Sequence, residues 1–404
     1  MRRSNWFGIV VTVFILIGIL IPEAVHAIPA FARRYKVSCT VCHAPFPRLK
    51  PYGEEFAGNG FIIPEEEKDR DYVIAGDDKL RLNRTFPIAL RFDAYAVYEQ
   101  DTTVESDLQI PWGVKLLSGG AVGKGIGYYV YFYMTERGEV AGIEDAYIHF
   151  NNIFRTNLDI MIGQFQTSDP LLKRELRLTF EDYRLYTVRI GESKTNLAYD
   201  RGTMLTYGID KTRTDMVAFV VNGNGKAVAD EVSRKFDSDN NKSLGFRLLQ
   251  GIGSAVGLGG FVYYGREQLT AGPENEITYY GPDVNIVLGP LDFSGQYLRR
   301  EDTNPNFQLA GSKVATDLWI AELVFSPKLD RSSHYITLLY NQVDSQLDVD
   351  DYETLTLGVT YVLRRNLRLT AEYSRIFTSV LFEEDIPRLI ENANRGVLGL
   401  VSAF

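Results

Sequence analysis

From Phe86 to Phe404, hydrophobic and polar positions alternate with a period of two. Across 88–98, Ile88, Leu90, Phe92, Ala94 and Ala96 share one face, while Arg91, Asp93 and Tyr95 share the other. Across 355–363, Leu355, Leu357, Val359, Tyr361 and Leu363 oppose Thr356, Gly358 and Thr360. Across 367–374, Leu367, Leu369, Ala371 and Tyr373 oppose Arg368, Thr370, Glu372 and Ser374. Successive side chains of a β-strand point to opposite faces, so each run predicts a strand with one apolar face. A soluble sandwich shows the same alternation in single strands, but it rarely puts Arg, Asp or Glu on the shielded face this often. Apolar-out, polar-in alternation repeated along a chain is the pattern of a transmembrane β-barrel.

The pattern resolves into sixteen strands: 86–99, 109–122, 126–136, 142–151, 156–166, 199–209, 213–223, 242–251, 254–268, 276–288, 291–302, 313–326, 332–343, 352–363, 366–378 and 393–404. Their connections alternate in length. Those at 151–156, 209–213, 251–254, 288–291 and 363–366 are tight; those at 166–199, 223–242, 302–313, 343–352 and 378–393 are long. Outer-membrane barrels have an even strand number, short periplasmic turns and longer external loops. The expected fold is therefore all-β, a sixteen-stranded transmembrane outer-membrane β-barrel over 86–404, wide enough for an aqueous lumen. Phe404 shares a face with Leu398 and Leu400 on the last strand, where such barrels often carry an aromatic residue.

The longest connection, 166–199, carries Lys173, Arg174, Glu175, Arg177, Glu181, Asp182, Arg184 and Arg189, with partly helix-like spacing at Leu172, Leu176, Phe180 and Tyr183. Two readings stay open. It is a solvated external loop, or it folds into the lumen and narrows it, where charged rings set selectivity.

Composition agrees with strands and tight turns: 24 Tyr, 23 Phe, 3 Trp and 35 Gly in 404 residues. Past residue 27 no apolar run reaches 18 residues, which excludes a helical membrane bundle. A net charge of −9 argues against nucleic acid as a partner, since phosphate binding needs a basic face. Residues 1–27 read as a signal peptide: Arg2 and Arg3, an apolar run from Trp6 to Ile21, Pro22, and small residues before a cut after Ala27. A retained membrane anchor is the competing reading, and the run is short for one. Acidic residues gather in the expected external loops: Glu99, Asp101, Glu105 and Asp107; Asp344, Asp348, Asp350 and Asp351; Glu383, Glu384 and Asp385. Such a mouth concentrates cations or serves solubility alone. The run Glu65-Glu66-Glu67 reads as solvated linker.

Both cysteines of the chain sit in one motif, Cys39-Thr40-Val41-Cys42-His43. Two thiols three apart, followed directly by His, form the c-type haem attachment pattern. Two thioether bonds span the two vinyl groups, and the adjacent imidazole becomes the proximal iron ligand. A redox-active Cys-x-x-Cys pair or a small disulfide loop would leave His43 unexplained, and no βαβ pattern surrounds the motif. The expected cofactor is one covalent haem c, bound by Cys39, Cys42 and His43. Residues 28–85 form a short cytochrome segment, too few to wrap a haem alone. Pro45, Pro47 and Pro51 interrupt helix there, although Leu49 to Phe61 has room for one short helix. No Met or His lies between 44 and 85, so the haem is either five-coordinate or takes its sixth ligand from the barrel. His149 and Met161 are the candidates, both on inward faces of strands joined by a tight turn. Met204 also faces inward, and His334 belongs to an interfacial belt.

The stretch Pro29-Ala30-Phe31-Ala32-Arg33, the motif Cys39 to His43, then Pro47, Leu49, Tyr52-Gly53, Phe56 and Gly60-Phe61 resembles the start of the fused cytochrome–porin family of outer-membrane iron oxidases. The resemblance covers about residues 29–61. It implies a single haem inside a sixteen-stranded porin, Fe(II) oxidised at the outer face, and electrons passed to a periplasmic c-type cytochrome. Tyr52 and Glu54 depart from the family's Phe and basic residue. Asp145-Ala146-Tyr147 and Gly163-Gln164-Phe165 are similar to segments of phosphate-selective porins. A redox conduit for another donor, or a solute porin with a haem-bearing plug, are the alternatives.

Overall fold

The computed structural model describes residues 30–63, 72–74, 81–83, 87–168, 171–268, 272–383 and 386–404. The leader at 1–27, the Glu65–Glu67 run, Glu384 and Asp385 lie outside them. A small hairpin, absent from the sequence expectation, pairs β1 (Tyr72–Ile74) with β2 (Arg81–Asn83). The barrel then follows as β3 (Ile88–Glu99), β4 (Ser106–Gly123), β5 (Ile126–Glu136), β6 (Gly142–Ile153), β7 (Leu158–Phe165), β8 (Asp200–Ile209), β9 (Thr214–Val221) and β10 (Ser243–Ile252). It continues with β11 (Val256–Gln268), β12 (Glu274–Leu288), β13 (Leu291–Asp302), β14 (Val314–Phe325), β15 (His334–Ser345), β16 (Tyr352–Arg364), β17 (Leu367–Glu383) and β18 (Ile386–Ala403).

Every barrel strand pairs antiparallel with its sequence neighbours, and β18 pairs with β3 to close a sixteen-stranded cylinder. At the seam Leu90 N–H donates to Phe404 O (2.6 Å) and Phe404 N–H returns the bond to Leu90 O (2.8 Å). Closure leaves no edge strand, so the ladder satisfies the backbone polar groups that lipid would otherwise leave unpaired. The alternation read from sequence decides the sides. Leu357 is 47% and Tyr373 53% exposed on the outer wall, whereas Thr356 and Ser374 are fully buried within.

One expected connection is not a long loop. β17 and β18 keep pairing beyond Ser379, with Phe382 opposite Pro387, so the segment 378–393 is mostly strand. The apolar run Val380-Leu381-Phe382 extends the ladder past the point where alternation fades.

Of the two readings of the longest connection, the structure shows the inward one. The connection 166–199 folds inward and packs on the wall. Its Tyr183, Leu185, Tyr186, Ile190 and Leu197 join Phe219, Phe261, Tyr279, Leu318 and Leu339 in one buried apolar cluster. Only a 3₁₀ turn at Arg174–Leu176 and a one-turn helix at Arg184–Thr187 carry the helix-like spacing. Backbone groups of this irregular segment are met by wall carboxylates. Glu372 accepts from the N–H groups of Phe180 (2.6 Å) and Glu181 (3.0 Å), and both carboxylate oxygens of Glu267 accept from the single N–H of Lys194 (2.9 and 3.1 Å). A barrel of this width has room for such a segment, and burying apolar side chains against the wall offsets its ordering entropy.

Leu357 lies midway along β16 on the outer wall. Replacing it with Arg is expected to destabilise the folded barrel by about 2–4 kcal/mol, the cost of a cation facing the bilayer midplane, read as a shift in reversible denaturant unfolding in lipid vesicles.

Candidate functional site

The N-terminal segment lies inside the barrel at its short-turn end. It contains α1 (Ala30–Tyr35), α2 (Cys39–Cys42) and α3 (Pro51–Gly58). Ser38 caps α2 by accepting from Thr40 N–H (3.4 Å), and Pro51 opens α3 at a position where a missing N–H costs nothing. α3 buries Gly53 and Phe56 and exposes Glu54 and Glu55. Gly53 presses directly on the Cys-x-x-Cys-His turn: a Cβ there would lie 2.3 Å from the Cys42 carbonyl oxygen. Phe56 meets Phe31, Tyr35 and Phe61 edge-on with centroids 5.3, 5.6 and 5.7 Å apart, and Phe61 stacks on Tyr129 of β5 at 4.7 Å. These contacts give the aromatic and glycine positions of residues 31–61 their packing roles.

Charged contacts fix the segment to the wall. Arg48 pairs with Glu322 of β14 (2.9 Å) and Asp292 of β13 (3.3 Å), and Lys50 with Asp330 (2.5 Å). Glu322 is fully buried and also accepts from Tyr183 Oη of the inward loop (3.1 Å). One carboxylate therefore joins the plug, the loop and the wall.

Between the segment and the wall lies a mostly apolar cavity of about 360 Å³. Cys39, Cys42 and His43 line it from the segment; His149, Met161 and Met204 line it from β6, β7 and β8. The last three form a row: His149 is directly opposite Met161, and Met161 directly opposite Met204. The sequence expectation that His149 and Met161 are inward cross-strand neighbours thus matches the register. His334, by contrast, is exposed at the start of β15.

His43 is oriented. Its Nδ1 lies 2.7 Å from the Pro47 carbonyl oxygen, which can only accept, so Nδ1 carries the proton and Nε2 keeps its lone pair. Burial pulls its pKa below the ordinary imidazole value, against the opposing pull of the Pro47 and Arg48 carbonyls and Glu54. The ring is thus neutral at pH 7, the form that ligates iron. Both thiols are free, and burial raises both pKa values. This is opposite to the lowered thiol of a disulfide oxidoreductase. His149 is 3% exposed, and its Nδ1 is buried with no partner among the described residues. Gly60 has φ +64°, and a Cβ there would lie 3.2 Å from His149 Cβ and 3.3 Å from its Nδ1, so a side chain would be strained and crowded. Two attachment thiols, an oriented imidazole and an unpartnered imidazole on one apolar cavity fit a c-type haem. Among the described residues no cluster of three or more His, Cys, Asp or Glu is placed to hold a metal ion.

No protein-family model matches the chain, and no curated protein does. Solved structures match in fold. The chain is 12% identical to an anion-selective porin from Comamonas acidovorans, with a TM-score of 0.57 over 79% of this chain and 99% of that one. It is 14% identical to the outer membrane channel DcaP of Acinetobacter baumannii, with a TM-score of 0.54 over 79% and 97%. It is 10% identical to Salmonella typhi OmpF, with a TM-score of 0.52 over 82% and 100%. The chain has the fold of an outer-membrane porin, a closed barrel of sixteen antiparallel strands.

The residues that sequence reading did not single out are those that join elements: Arg48, Glu322 and Arg368. Alternation marks Glu322 and Arg368 as inward, but no local signal names their partners. Glu322→Ala is expected to lower stability by about 3–5 kcal/mol, because Arg48 would remain buried without its main partner. The double variant Arg48→Met/Glu322→Leu should recover most of that loss; denaturant midpoints and protease sensitivity of residues 30–63 report both.

Proposed function

We propose that this protein is an electron conduit of the outer membrane, a porin-type barrel whose N-terminal segment carries one covalent haem c inside the lumen. The observation that carries this reading is the convergence of Cys39, Cys42 and His43 with His149 and Met161 on one cavity. When bound, the haem supplies one-electron chemistry between an external donor and a periplasmic acceptor. Cys39 and Cys42 would hold it through thioether bonds, and His43, fixed by Pro47, would present Nε2 as the proximal ligand. His149 would supply the sixth ligand, with Met161 beside it as the alternative. Of the two, His149 carries the buried nitrogen that has no partner among the described residues.

The narrowing of the lumen by two inward segments also supports this reading. The inward loop packs one side of the barrel, and the haem segment lies across the short-turn end. Electrons tunnel through packed protein, whereas solutes need a continuous wet path. Fe(II) is the donor favoured by the acidic long-loop end, where Asp101, Glu105, Asp107 and Asp344 are exposed and raise the local cation concentration. A periplasmic c-type cytochrome is the acceptor. The short turns and N-terminal segment then face the periplasm, and the outer wall contacts lipid.

A second reading, a solute or ion porin with a haem-bearing plug, is favoured by the fold shared with solute-conducting porins. Planar-bilayer recording separates the two: the conduit reading expects little or no steady conductance, and large ohmic conductance without redox activity would favour the porin.

Purified full-length protein is expected to be red, and the Cys39→Ala/Cys42→Ala variant to lose covalent haem staining of the denatured band. Staining that survives the double substitution overturns the attachment assignment. Anaerobic stopped-flow mixing with Fe(II) at neutral pH should reduce the haem; an unreduced spectrum rejects iron as donor. His149→Ala should change the optical spectrum of the oxidised protein, while Met161→Ala leaves it nearly unchanged. The reverse result moves the sixth ligand to Met161.

A further inference from the structure

At the short-turn end of the lumen lies a buried charge network with more cations than carboxylates. Arg91 pairs with Asp93 (2.8 Å), Asp93 with Lys115 (3.4 Å), and Lys115 with Glu175 (3.4 Å). Glu175 meets Arg174 (4.0 Å), Arg174 pairs with Asp182, and Asp182 with Arg177 (3.6 Å). This chain holds four cations, Arg91, Lys115, Arg174 and Arg177, against three carboxylates.

Arg368 adds a fifth cation. It stands on β17 across Val401 from Asp93, because Val401 is opposite both residues. It is 4% exposed, its Nε is buried without a partner, and no carboxylate among the described residues lies within ion-pair distance. Its one hydrogen bond goes to the Phe46 carbonyl (3.2 Å), in the segment that carries His43. The charges that act on it are Arg91 and Arg177, which repel it, and Asp93. Of the other lumenal carboxylates, Glu181 and Glu372 pair with Arg395 and Glu322 with Arg48, while Asp145 lines the cavity from β6.

The patch therefore has an excess of two positive charges. A buried guanidinium without an anion is costly, and proteins ordinarily pair it. The arginine fork matches a carboxylate through two parallel N–H···O bonds. Arg91 itself lines the cavity of Cys39, Cys42 and His43, as does Phe46, whose carbonyl Arg368 holds. A haem carries two carboxylate side chains, the number needed to neutralise the patch.

We propose that Arg368 and Arg91 form the anion-binding site for the two carboxylate side chains of the haem held by Cys39, Cys42 and His43. This inference rests on the haem reading above and adds to it the residues that set the orientation of the porphyrin in the barrel. Arg368 is the principal group, because Arg91 already shares Asp93. The contact also acts on the iron: a fixed positive charge beside the porphyrin disfavours the ferric form, which carries one more positive charge than the ferrous form.

The test is an optical redox titration of full-length protein in detergent, with folding checked by the heat-dependent gel shift of the barrel and haem content by pyridine haemochrome. Arg368→Gln is expected to keep the covalent haem and lower its midpoint potential; Arg368→Lys, which keeps the charge, is expected to restore most of the shift. A folded, haem-loaded Arg368→Gln protein with an unmoved potential overturns the proposal. So does an equal fall in both variants, which would mark a merely structural role. Should Arg368→Gln fail to fold, the wild-type protein decides. A saturable shift of its potential with added chloride or phosphate would show that a free anion fills the patch, and would overturn the proposal. An unresponsive potential, together with a lowered potential in Arg91→Gln, supports it. A colourless wild-type protein refutes the haem reading itself, whereas a red protein with an unmoved Arg368→Gln potential refutes this inference alone.

Discussion

Lipid offers no hydrogen bonds, and this one constraint organises the whole molecule. A chain that crosses it as β-strands must close its sheet, since each unpaired N–H or C=O in hydrocarbon costs several kcal/mol. Closure here runs through the β18–β3 seam, down to the reciprocal bonds of Leu90 and Phe404. Once the sheet is closed, period-two alternation sends every second side chain inward. Apolar residues such as Leu357 then face outward and polar ones such as Thr356, Arg368 and Glu372 face the lumen. The same alternation also points apolar residues such as Leu318 and Leu339 inward where the β7–β8 connection packs on the wall.

Those inward groups must then be satisfied in turn, and sixteen strands enclose too much space for side chains alone to fill. Two segments complete the interior. The loop between β7 and β8 brings apolar residues against β9 to β15 and places its backbone N–H groups on wall carboxylates. The N-terminal segment brings an aromatic cluster against β5 and an arginine onto β13 and β14. Glu322 belongs to both systems, through Arg48 and through Tyr183. Between the N-terminal segment and the wall lies the cavity of His43 and His149, lined from β3 and from β5 to β8. The barrel fold is that of solute porins, but filling of this kind turns a channel wall into a scaffold for a buried site.

Local alternation read the barrel well because each wall residue answers to lipid on one side and lumen on the other, independently of distant residues. Strands β5 and β13 end where the alternation ends, at 126–136 and 291–302. It failed at 378–393, where pairing continues past the alternation. The inward course of the 166–199 connection stayed undecided in sequence, because its charged residues suit solvent and a buried ion-pair network equally. The Cys39-x-x-Cys42-His43 motif was legible for another reason: the spacing that covalent haem attachment would require lies within five consecutive residues.

The sequence by itself therefore determined the number and sides of the strands, and it put two thiols and an imidazole within five residues, since both depend on residues near one another in the chain. Only the tertiary structure decided what faces that motif. Register across β6, β7 and β8 sets His149, Met161 and Met204 in a row, and barrel closure brings Arg368 to a carbonyl 322 positions away in sequence. Such contacts join residues whose separation is fixed by how strands stack around a cylinder, and no local pattern encodes that distance.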